Sequence, residues 1–208
     1  MAIISDGTTM ADAGAFSVAL GSMIHIKTLT ASSSANLSFV HGTDGVVLDN
    51  TYPIYKFVFI NCHPATNNAD VLFQASTDGG SSYGITTTST YHEARHAEND
   101  GTTFLGYNTG FDLAQSTDYI HISGSISNED DSTLSGELTI YSPSNTTFVK
   151  HYISRVNKIF DLSGSMETSD AYVSGYFNNT SAINAFDFKM DTGNMDSGKI
   201  KLYGIKDS

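Results

Sequence analysis

His92-Glu93-Ala94-Arg95-His96 is a literal H-E-x-x-H. On a helix this spacing puts both histidines on one face, one turn apart, where they ligate zinc while the glutamate activates water. The flanking residues argue against a helix. Ile85 to Thr90 is Thr-rich and suits a strand, and Glu98-Asn99-Asp100-Gly101 breaks helices. In an extended chain the two histidine Cα atoms stand about 13 Å apart, too far for one ion. No glycine stands three residues after His96, and no histidine three beyond that. A zinc hydrolase through His92, Glu93 and His96 is the remote reading; a polar strand or loop is the expected one.

Other chemistry-bearing residues give weaker signals. Cys62 precedes His63, but adjacent strand residues point to opposite faces, so a buried inert thiol is expected rather than a nucleophilic pair. As the lone cysteine it forms no internal disulfide. Gly193 and Gly198-Lys199 have P-loop spacing, but Ile200 stands where Mg²⁺ needs Ser or Thr, and a turn explains the glycines. Asn128-Glu129-Asp130-Asp131 could hold Ca²⁺ at a loop tip, although its spacing is not that of an EF-hand; a solvated loop is the default. No G-x-S-x-G elbow occurs. No catalytic residue, cofactor or metal ligand is assigned, and the chain is not expected to be an enzyme.

These residues must be positioned by strands. The chain has 208 residues, three prolines, no tryptophan, 12 phenylalanines and 11 tyrosines, with charged residues at only 15%. Short apolar runs alternate with Ser, Thr, Asn and Gly. Met23 to Leu29, Leu37 to Val40, Tyr52 to Cys62, Val71 to Ala75, Ile85 to Tyr91, Tyr119 to Ile126, Leu134 to Tyr141, Phe148 to Val156 and Ala171 to Phe177 read as strands. Tyr52 to Cys62 is apolar on both parities and is placed centrally, covered on two sides. Asp161 to Ser169 reads as loop. Ser76-Thr77-Asp78-Gly79-Gly80-Ser81-Ser82-Tyr83 matches an Asp-box hairpin turn. It occurs once, so no propeller is implied. Phe186, Phe188 and Met190, then Ile200 and Leu202, suggest a long closing hairpin whose apolar residues are buried together.

This pattern predicts an all-β fold: one jelly-roll-like antiparallel sandwich over residues 21–208, preceded by a short irregular N-terminal arm over 1–20. The net charge of −12 and the absence of a basic run argue against nucleic-acid binding. No apolar run approaches the ~20 residues of a membrane-spanning helix, and Met1 to Phe16 has no signal-peptide pattern.

Three segments also resemble a family. The turn Ser76–Tyr83, the strand Ser135-Gly136-Glu137-Leu138-Thr139-Ile140-Tyr141-Ser142-Pro143 and the run Ser197-Gly198-Lys199-Ile200-Lys201-Leu202-Tyr203-Gly204-Ile205 are similar to those of virion structural proteins of marine tailed bacteriophages. The resemblance implies a non-enzymatic β-sandwich displayed on the virion and assembled in the host cytoplasm, with head or tail proteins as partners. A head decoration or knob-like role is the leading expectation. A tail-associated, carbohydrate-binding adhesin that contacts host glycan is the alternative. Exposed strand edges suit a homo-oligomer, with a trimer expected first.

Overall fold

The structure, a computed structural model, describes residues 3–5, 8–12, 15–16, 22–162 and 164–207. Its secondary structure is all β, with no helix among the described residues. In the expected arm, β1 (Ile3–Ser5), β2 (Thr8–Asp12) and β3 (Ala15–Phe16) pair antiparallel with one another, so these stretches are strand rather than irregular chain. Two larger antiparallel sheets make a sandwich. The large sheet runs β4 (Met23–Thr30), β15 (Met195–Ile205), β6 (Ile54–Pro64), β11 (Leu134–Tyr141), β12 (Lys150–Leu162), β13 (Ser165–Phe177), β8 (Thr87–Ala97), β9 (Thr103–Tyr107). The small sheet runs β10 (Ile120–Ile126), β7 (Ala69–Ser76), β14 (Ala185–Met190), β5 (Leu37–Val40). The layers hold eight and four strands.

Alternating side chains build the core. Tyr55, Phe57 and Phe59 of β6 point inward, and the two phenylalanines meet Phe39, Phe186 and Phe188 of the small sheet. Phe73, Tyr152 and Phe177 continue this cluster, mostly in edge-to-face contacts, the geometry that the ring quadrupole favours. Strand β6 is central in hydrogen bonding, with β15 on one side and β11 on the other. Its second face is not covered, however. Ile54, Lys56, Val58 and Ile60 are only half-buried on the outer surface.

Two expected hairpins are crossings between layers. Strands β14 and β15 do not pair: β14 lies between β7 and β5, and β15 between β4 and β6. Phe186, Phe188, Met190, Ile200 and Leu202 are nonetheless buried together, entering one core from opposite sheets. The Asp-box likewise joins β7 in the small sheet to β8 in the large one. Its local chemistry is as expected. Asp78 accepts hydrogen bonds from Ser76 Oγ at 2.6 Å, Ser82 N at 3.0 Å and Ser82 Oγ at 2.5 Å. Alternation says which residues face inward, but an inward parity is met equally well from either layer. The expected loop at Asp161–Ser169 is also mostly strand, since β12 and β13 form a long hairpin paired from Lys150–Phe177 to Leu162–Ser165. Its polar outward residues conceal a strand that buries only alternate positions.

Candidate binding cleft

Strand β8 carries the H-E-x-x-H residues and shows why they do not assemble. The strand pairs with β13 through its whole length. His92 and His96 face outward and are exposed, while Glu93 faces inward and is buried. His92 stacks on Tyr172, with ring centroids 5.1 Å apart and planes 7° from parallel. His96 Nε2 lies 3.0 Å from Asp100 Oδ1. The helical arrangement that zinc chemistry requires is absent: the glutamate and the histidines are on opposite faces of a sheet. The segment Asn128–Asp131 is an exposed turn, and no group of three His, Cys, Asp or Glu able to hold a metal ion occurs among the described residues. Cys62 is fully buried, with Sγ 3.8 Å from Lys199 O, and burial pushes its thiol up to about 12. His63 instead contacts Ser132 O through Nδ1 at 2.7 Å. Gly193 sits in the turn before β15, and Gly198 lies inside that strand.

The inward face of the large sheet holds something the motifs did not indicate. The large sheet is broader than the small one, and near its β8 end the inward side chains turn polar. Glu93 and Arg95 of β8 and Lys158 of β12 all face inward, as does Glu167 of β13. Together with Asn68, Asn108, Phe111, Ser125, Phe160 and Asp161, the first three line a cleft of about 360 Å³. That volume lies at the lower end of small-ligand sites.

Each charge has a distinct anchor. Lys158 Nζ donates to Gly124 O at 2.8 Å and Ser125 O at 2.9 Å, and burial lowers its pKa to about 8. Glu93 Oε2 accepts from Ser169 Oγ at 3.1 Å. Arg95 lays its guanidinium over the Phe104 ring, 4.3 Å from the centroid. Its Nε lies 3.7 Å from Glu93 Oε1, near enough for attraction but too far for a hydrogen bond, and is buried without a partner in the protein. Below Lys158, Tyr91 accepts at its hydroxyl from Gly124 N at 3.1 Å, and burial raises its pKa. Asp70 Oδ2 is 3.1 Å from His121 Nδ1, which is not aligned to donate, so this contact is an ion pair only when the ring is protonated. Phe111 lies against His121 and over Gly124, where an added Cβ would come 2.4 Å from the ring. Phe111 therefore closes the back of the cleft only because residue 124 has no side chain.

The cleft offers carboxylate acceptors, guanidinium and amide groups, and two phenyl walls. Such a set suits a polyhydroxylated ring, which presents hydroxyls at its rim and C–H groups on its faces. A second hollow, about 560 Å³, lies on the outer face beside Tyr141, Phe148 and His151. It lacks convergent charged groups. Fold and cleft together define an all-β sandwich with a polar inter-sheet cleft and no assembled metal or nucleophile site among the described residues. Comparison with known proteins finds no family model, no curated protein and no solved structure that matches the chain.

Proposed function

We propose that the chain is a non-enzymatic structural protein displayed on a tailed-bacteriophage particle, and that it attaches the particle to a host-surface saccharide through the cleft. The likeness of Ser76–Tyr83, Ser135–Pro143 and Ser197–Ile205 to virion proteins supports the particle. The observation that carries attachment is the cleft itself: Glu93, Arg95 and Lys158 converge between the sheets, with a buried Arg95 Nε that the protein leaves unbonded. A buried donor without a partner costs stability, and a turn of the partly exposed Arg95 side chain onto a ligand hydroxyl would relieve it.

A glycan array probed with the labelled protein tests this reading. Specific binding is expected, weakened about tenfold or more by Glu93→Gln or Arg95→Gln, the loss of one charge-assisted hydrogen bond. Silence across the array, or binding that ignores both substitutions, would overturn it. Head decoration without ligand binding remains the second reading, favoured by one observation. Tyr141, Ile153 and Leu105 are exposed on the outer face of the large sheet, with Phe148 at its margin. Exposed apolar groups gathered on one face are what a contact with a neighbouring protein needs. Binding to glycan-free particles lacking this protein, combined with a silent array, would favour decoration.

A further inference from the structure

Among the described residues the two sheets end in four edge strands, and three carry devices that discourage pairing. Strand β4 has Lys27 and a register shift opposite Leu202–Tyr203. Strand β5 is four residues long and is tied down by Asn36 and Ser38, which both donate to Asp187. Strand β10 has its outer backbone groups taken: Lys158 binds the carbonyls of Gly124 and Ser125, and Tyr91 accepts the Gly124 N–H. Charges, bulges, short length and cover are the ways in which native sheets protect an edge.

Strand β9, five residues long, has no charged residue, bulge or covering segment among the described residues. Its sequence, Thr103-Phe104-Leu105-Gly106-Tyr107, is uncharged, and no charged residue occurs from Gly101 to Phe111 in a chain of net charge −12. Leu105 is 80% exposed, and Phe104 and Tyr107 are exposed too. Two flanking bonds fix which backbone groups are free. Asn108 N donates to Tyr91 O at 3.0 Å, and Ala97 N donates to Thr102 O at 2.9 Å. With the register His92–Tyr107 to His96–Thr103, the antiparallel alternation turns the N–H and C=O groups of Phe104 and Gly106 toward β8. Those of Thr103, Leu105 and Tyr107 point away from it, to the free edge.

We infer that β9 pairs antiparallel with β9 of a second copy across a twofold axis at Leu105, joining two large sheets into one. The register follows from the free groups. Leu105 faces its own counterpart, and Thr103 faces Tyr107 of the other copy, so every outward backbone group on the strand finds a partner. On the inward side Phe104 comes opposite Gly106 of the other copy. This matches large against small: Gly106 already accommodates the Phe104 ring of its own strand, which would lie 2.5 Å from an added Cβ. The occupant is a second copy because the uncharged edge is where two strongly acidic chains repel least. Such a contact is isologous and closes at two, so the unit is a pair rather than the expected trimer. It holds whether or not the cleft binds a saccharide.

Sedimentation equilibrium over a dilution series tests it with three proteins. The wild type is expected at twice the chain mass. Leu105→Pro removes a central edge N–H that β8 does not use, and is expected at the mass of one chain with the far-UV spectrum of the folded wild type and a thermal midpoint that no longer depends on concentration. Leu105→Cys is expected to form a disulfide-linked pair on mild oxidation, because the counterpart residues meet at the axis and Cys62 is buried. A wild type of single mass, a closed trimer, or a Leu105→Cys chain that does not cross-link would overturn the proposal. Should Leu105→Pro fail to fold, the cross-link alone decides.

Discussion

Lys158 is predicted to make the protein more stable in mildly alkaline solution than at neutral pH. Its Nζ is buried against two backbone carbonyls, and burial lowers the folded-state pKa from the ordinary 10.5 to about 8. The folded chain thus holds this proton less tightly than the unfolded chain. Below pH 8 the lysine is charged in both states, and folding carries the full cost of burying the charge. Between about pH 8 and 10.5 the folded state has released the proton while the unfolded state still binds it, so stability rises with pH. The whole interval corresponds to roughly 3 kcal/mol, of which about 2 kcal/mol appears between pH 7 and 9.5. Cys62 opposes this from about pH 9, because burial holds its thiol at about 12 while the unfolded thiol ionises near the ordinary 9.0; the tyrosines oppose it only at higher pH. Burial raises Tyr55 and Tyr152 to about 12 and raises Tyr91 as well, so the unfolded chain loses phenolic protons first and stability falls above pH 10. Urea unfolding at pH 7 and 9.5 measures the slope. Over this interval the wild type should gain about 2 kcal/mol relative to Lys158→Met, whatever the absolute stability of either, since Cys62 contributes equally to both. The same pH slope in wild type and Lys158→Met would refute the assignment of a charged, desolvated lysine inside the sandwich.

Three further outcomes follow from single positions. Gly198 has φ +115 on β15 opposite a β6 bulge at Asn61 and Cys62, and an added Cβ would lie 2.6 Å from Asn61 O; Gly198→Ala should cost about 2–4 kcal/mol in urea unfolding, from backbone strain and the clash. Cys62 should resist a thiol reagent in the folded protein and react at once in denaturant, since its thiol is buried and held at about 12. Asp78, fully exposed, is held down to about 2 by hydrogen bonds from Ser76 and Ser82; carboxyl chemical shifts in a pH titration should show its pKa climbing toward the ordinary range in Ser76→Ala and in Ser82→Ala.

Much of the fold was legible because burial in a strand leaves a parity. Phe186, Phe188, Met190, Ile200 and Leu202 were assignable to the core from alternation alone. The partner of each strand was not, because the turn chemistry of Asp78 or of Gly193 is the same whether the chain returns beside itself or crosses to the other layer. The extended state of His92–His96 was legible from the Thr-rich run before it, and that removed the zinc reading. The cleft was not legible. Glu93 and Arg95 come from β8, Lys158 and Phe160 from β12, and Asn68, Asn108 and Phe111 from loops, and only the layer packing brings them together. One signal was available: Glu93, Lys158 and Glu167 stand at inward positions of otherwise half-apolar strands, and charges are not buried without partners. Lys150 shows the other outcome of that signal. It is equally buried, but it serves as a clamp on Asn179 O and Ser181 O.

The places of β14 and β15 bear on how the chain is made. Strands β4, β5, β6 and β7 are all synthesised before residue 77, yet none of them pairs with another. Each waits for a slot to be filled: β14 enters between β7 and β5, and β15 between β4 and β6. A nascent chain stalled before Ala185 therefore has β4 cut off from the large sheet and β5 cut off from the small one, with strand edges open on either side of each gap. Long-range pairing of this kind is slow and leaves those edges exposed while it lasts. Strands β14 and β15 act as keystones, and neither sheet reaches its full strand order until the residues up to Ile205 have left the ribosome.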